Sequence, residues 1–204
     1  LVAFSLNNWN EDRLLRIRER QALEKVREEV TNNLRIIREN REQLTRMYLP
    51  ARIIAKELAE DDKLTMTPAG MDSLRQLAGD MLTIQDSTLL DPARNIYRYR
   101  GELDMNLSIL RVQLTDFAWS TMRNMHQDTR IGFDCLYQLE QAYQVQEELN
   151  AAFDHIWKVV EDGLPPGPEE VERLFNNWKR VIDMEDILLS FYGQLLKEEV
   201  GCLQ

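Results

Sequence analysis

The sequence is poor in glycine, proline, cysteine and histidine, and it has no long apolar run. Eight glycines and six prolines in 204 residues are too few for a loop-rich or collagen-like chain. Eight glycines also give little material for a phosphate-cradling loop, and no P-loop, Gly-x-Gly-x-x-Gly or Gly-x-Ser-x-Gly pattern occurs. The two cysteines, Cys135 and Cys202, are too few for a disulfide scaffold and form no CxxC motif. The two histidines, His126 and His155, have Arg123 and Ala152 three residues before them. Neither therefore belongs to a Glu-x-x-His pair of the di-iron bundles, nor to a His-Glu-x-x-His zinc motif. No stretch reaches 18 apolar residues, so no segment of this sequence spans a bilayer by itself. Positive charge is in deficit as well. Twenty-five Lys and Arg against 35 Asp and Glu give a net charge of −10, which argues against a nucleic-acid binder.

What is present is helical periodicity. Apolar residues recur at spacings of three and four, which predicts an all-α protein, a bundle of about four long helices with short connectors and a long projecting N-terminal helix. The first helix is expected from about residue 7 to Tyr48, ending before Pro50. Its stripe is Leu23, Val26, Val30, Leu34, Ile37, Leu44 and Met47. A short helix at about 51–60 is expected next, then one opening at Thr67-Pro68 with Thr67 as N-cap. The stripe Leu103, Leu107, Leu110, Leu114, Phe117, Met122 predicts a further helix after Gly101. The last two are expected at about 133–161 and 168–200, separated by the loop Asp162-Gly163-Leu164-Pro165-Pro166-Gly167-Pro168.

Charge is unevenly distributed. Residues 1–48 hold ten basic and eight acidic groups, +2, leaving −12 for the rest. The cluster Arg13, Arg16, Arg18, Arg20 follows an apolar start, Leu1-Val2-Ala3-Phe4-Ser5-Leu6, and a tryptophan, Trp9. Two readings fit. The start is either the end of a longer membrane span with Trp9 at the headgroup level, or a helix end that docks on its own domain. The arginines either touch lipid phosphates or lie on a solvated face among Glu11, Asp12, Glu19 and Glu24. Paired carboxylates such as Glu147-Glu148 and Glu185-Asp186 point about 100° apart on a helix and do not share a site. Cys135 and Cys202 are 67 residues apart and can pair only in an oxidising compartment.

Two segments carry a resemblance. One is Asn7-Asn8-Trp9-Asn10-Glu11 after the apolar start. The other is Phe117-Ala118-Trp119-Ser120-Thr121 followed by Leu139, Tyr143 and Gln146. The chain resembles an uncharacterised family of bacterial single-pass membrane proteins, in which an N-terminal transmembrane helix runs into an Asn-Asn-Trp-Asn-Glu juncture and a long helix. Where that family has a Thr-Gly-Ala turn, this chain reads Met125-His126-Gln127-Asp128. The resemblance implies a tether, with residues 1–10 as span end and juncture, residues 11–204 as one helical domain, and a periplasmic or extracytoplasmic location. It implies no activity.

The functional expectation is a non-enzymatic, membrane-anchored accessory or interaction module that docks on a larger membrane complex. It needs no cofactor, metal or nucleic acid. The expected membrane-interface residues are Leu1, Val2, Phe4, Leu6, Trp9, Arg13 and Arg16. The alternative is a sensor-type bundle that holds a small anionic ligand through Arg94, Arg98, Arg100 and Arg111.

Overall fold

A computed structural model describes residues 2–61, 64–104, 107–126, 131–162, 167–197 and 202–203. In chain order the elements are helix α1 (Val2–Asp61), strand β1 (Leu64–Met66), helix α2 (Pro68–Ala78), strands β2 (Leu82–Asp91) and β3 (Ile96–Leu103), and helices α3 (Phe117–Asn124), α4 (Phe133–Glu161) and α5 (Pro168–Leu195). The chain divides into two compact units. The first comprises Leu1–Arg38, Gln113–Glu148 and Glu185–Gln204, and the second Glu39–Val112 and Leu149–Met184.

The all-α expectation is wrong. A three-stranded antiparallel sheet of order β1-β3-β2 occupies Leu64–Met66, Leu82–Asp91 and Ile96–Leu103, in a chain expected to be helical throughout. The segment Ile96-Tyr97-Arg98-Tyr99-Arg100 alternates with period two, which puts the tyrosines on one face and the arginines on the other. The β2–β3 turn is set by Asp91, whose Oδ1 accepts the backbone N–H groups of Ala93 (2.9 Å) and Arg94 (3.1 Å), and by Asn95 at φ 55°. Gly101 pairs with Ile84 beside a bulge at Gln85. A Cβ at Gly101 would stand 2.3 Å from the Thr83 carbonyl oxygen, so the close approach of the two strands requires glycine. Between β3 and α4 the described residues form a 3-10 turn (Leu107–Leu110) and the eight-residue α3. Leu110 and Leu114 are buried, but not along one helix.

Helix α1 also differs from expectation, because it continues through Pro50. An interior proline costs a helix about 3 kcal/mol. Buried Met47 and Ala51 flank it and Ile54 follows, and burying such side chains is worth about 1.5–3 kcal/mol each. The Thr67-Pro68 start is observed, with Thr67 Oγ1 accepting the Gly70 N–H at 3.2 Å.

In the second unit, Ile54, Leu64, Met71, Leu74, Ala78 and Leu82 form a core, with Ile84 and Tyr99 of the sheet against it. Tyr48, Phe175 and Trp178 pack there as an aromatic group, with ring centroids 5.5–6.2 Å apart.

The first unit encloses a polar network within its apolar core. Asn33 of α1 donates to the Thr115 carbonyl (2.7 Å) and to Gln146 Oε1 (3.0 Å), and accepts the Thr115 N–H (3.3 Å). The same Gln146 oxygen accepts the Tyr192 hydroxyl of α5, and its Nε2 donates to Thr115 (3.0 Å). Four chain segments are thus fixed in one register. Nearby, Glu29 accepts the backbone N–H groups of Ala118 (3.0 Å) and Trp119 (3.4 Å). A side chain of α1 therefore caps α3, whose own N-cap residue Asp116 makes no side-chain cap bond.

Candidate functional site at the start of α1

The buried seam of α1 follows a seven-residue repeat. Leu23, Val30, Ile37 and Leu44 form one line, and Val26, Asn33, Asn40 and Met47 the other. From Val26 on, these positions are buried. Counting back by sevens brings Trp9 and Arg16 onto the first line, and Asp12 and Glu19 onto the second. Between Leu23 and Trp9 the seam therefore holds the charged residues Arg16, Glu19 and Asp12 and no longer supports packing within the unit. Leu14, Leu15 and Ile17 lie off the seam, and all are exposed, at 47%, 43% and 44%. Trp9 is 60% exposed.

Of the expected membrane-interface residues, Trp9, Arg13 and Arg16 stand together on this exposed stretch. The Arg13 guanidinium lies 5.7 Å from the Trp9 ring centroid, a cation–π contact worth about 0.5–1 kcal/mol at an exposed site. Leu1 and the side chains of Val2, Phe4 and Leu6 lie outside the described residues. The membrane-anchored expectation is corrected on one point, because no helix among the described residues is long and apolar enough to cross a membrane. Helix α1 turns strongly charged from Glu11 on.

Two clefts line this part of α1. One of about 610 Å³ is bordered by Trp9, Arg13, Arg16, Ile17, Arg20 and Glu24. The other, of about 490 Å³, is bordered by Arg16, Glu19, Arg20, Leu23, Glu24 and Arg27. The arginine cluster is legible in the sequence, whereas Leu14, Leu15, Ile17 and Arg27 stand out only with the exposure of this stretch. The repeat of seven, extended upstream, was the signal that separates them from the core.

Of the four arginines expected to hold an anion, Arg94 pairs with Asp91 at the β2–β3 turn (3.8 Å). Arg98 and Arg100 are exposed on β3. Arg111 stands 5.5 Å from the Trp157 ring centroid. A third cleft, of about 410 Å³, lies elsewhere, among Gln43, Arg46, Asp80 and Asp104. His126 and His155 are exposed. Among the described residues, no three His, Cys, Asp or Glu side chains gather as metal ligands.

Cys135 and Cys202 are bonded, with their Cα atoms 5.2 Å apart. The bond holds the C-terminal segment against α4, and Leu203 beside it is buried, with its N–H donating to the Leu195 carbonyl at 3.3 Å. The most displaced titrations belong to two tyrosines. Tyr143 is pushed up by burial and by its hydrogen bond to Glu29, and Tyr192 is pushed up chiefly by burial. Comparison with known protein families, curated proteins and solved structures finds no match.

Proposed function

We propose that this chain is a non-enzymatic helical interaction module that docks on a larger protein assembly through the exposed start of α1. One observation carries the reading. Trp9, Leu14, Leu15 and Ile17 are exposed within nine residues of one helix, upstream of the point where the buried seam begins. Leu14 and Ile17 share one side of the helix and Trp9 and Leu15 point to others, so the stretch exposes large apolar residues around its circumference, as a segment covered by a partner does. The two strongly displaced tyrosines support a structural use of the interior, since their hydroxyls are engaged by Glu29 and Gln146 between helices. The bonded pair Cys135–Cys202 supports an oxidising, extracytoplasmic location, because such bonds are rarely stable in a reducing cytosol.

The test is site-specific photo-crosslinking in cells that produce the full chain. A photoreactive residue at Leu14 or Ile17 gives one adduct of defined mass. The same residue at Ile187, exposed on α5, gives none. Equal labelling from all three positions, or none from any, overturns the proposal.

A further inference from the structure

Arg13, Arg20 and Arg27 repeat at intervals of seven, and Arg16 lies between the first two. At about 100° per residue the four fall within about 60° of one another, in a row about 21 Å long. All four are exposed. Among the described residues none of them forms a salt bridge. Arg18 is on the opposite side of the helix.

The row, together with Trp9 at its head, selects its occupant. A helix lying in a lipid surface needs an apolar face that repeats along its length. The line through Ile17 continues instead with Gln21, Glu24 and Glu28. Glu28 on that line would meet anionic headgroups with like charge, whereas Glu24, four residues after Arg20 and three before Arg27, borders the arginine row itself. Arginine's forked guanidinium suits carboxylates, and a straight row of four fits a second helix carrying carboxylates at the same spacing. Resting on the docking function above, we propose that the row Arg13, Arg16, Arg20, Arg27 binds an acidic helix of the partner protein, with Trp9 packing against that helix.

The probe is an alanine-based helical peptide with glutamates in a three-four-seven row, made in both chain directions. Binding to the full disulfide-bonded chain is read by fluorescence anisotropy. One control peptide has the same glutamates scattered around the helix. The other control is phosphatidylcholine–phosphatidylglycerol vesicles. The expected result is binding of a row peptide about tenfold or more tighter than of the scattered one, weakening as salt rises. Arg16→Gln with Arg20→Gln removes that preference, and Arg18→Gln, off the row, keeps it. Equal binding of both peptides, tighter binding to vesicles, or an unchanged preference in the double variant overturns the assignment.

Crosslinking from Ile17 separates this proposal from the function it rests on. Loss of the adduct in the double variant, with helix content unchanged by circular dichroism, supports the row. An adduct that persists in the double variant overturns the row and leaves the docking function standing. No adduct in the unmodified chain overturns both.

Discussion

Glu29 of α1 accepts a 2.7 Å hydrogen bond from the Tyr143 hydroxyl of α4 while it caps the N-terminus of α3. Tyr143 in turn stacks on Trp119 of α3, with centroids 5.4 Å apart and planes 6° from parallel. One carboxylate thus joins three helices in the first unit. Glu29→Ala leaves the Tyr143 hydroxyl and two backbone donors without their acceptor, and is expected to cost about 1–3 kcal/mol. Tyr143→Phe is expected to cost less, because it removes donor and demand together. Urea unfolding of the single and double variants checks this. The double variant should be more stable than the sum of the single losses implies.

The tyrosines set an alkaline limit. Burial raises the titrations of Tyr143 and Tyr192 above the ordinary value of 10.0, so their unfolded forms lose protons more readily than their folded forms. Their contribution to stability is fully present below pH 10 and falls as the pH rises above it. Of the six tyrosines, these two are expected to ionise only as the chain unfolds. Absorbance at high pH should therefore show a late step that coincides with loss of helical circular dichroism. Smooth ionisation of all six in the folded chain contradicts this.

Reducing the Cys135–Cys202 bond frees the C-terminal segment and lengthens the unfolded chain's reach. The expected loss is about 2–4 kcal/mol, the usual worth of such a cross-link. Cys202→Ser should reproduce it. Thermal unfolding with and without reductant measures the effect, and the serine variant should show no response to reductant.

Gly101→Ala tests the sheet. The added methyl meets the Thr83 carbonyl oxygen and must push β2 from β3, at an expected cost of about 1–3 kcal/mol. Gly193→Ala, within α5 where the added atom meets nothing, serves as the control and should be no less stable than the parent chain.

The long helices were legible because their stripes are long and uninterrupted. Helix α4 lies at the expected 133–161, and α5 begins at the expected Pro168. The sheet was missed because leucines at Leu103, Leu107, Leu110 and Leu114 keep helical spacing by chance while the chain runs through a strand and a turn. The alternating Ile96–Arg100 run and the Asp91–Asn95 turn carried the correct signal, but they are short. The break at Pro50 was over-read, since propensity yields where burial continues on both sides of a proline. The arginine cluster was visible in the sequence. That its neighbours Leu14, Leu15 and Ile17 are exposed required knowing that the buried seam begins at Val26.

The central claim, that the start of α1 is a covered surface in the working protein, is tested most directly by hydroxyl-radical footprinting. Labelling of the purified chain is compared with that of the same chain in intact cells. Trp9, Leu14, Leu15 and Ile17 should label readily when purified and become protected in cells. Phe133, exposed at 78%, should label alike in both. Equal labelling of Trp9, Leu14, Leu15 and Ile17 in the two states would contradict the account.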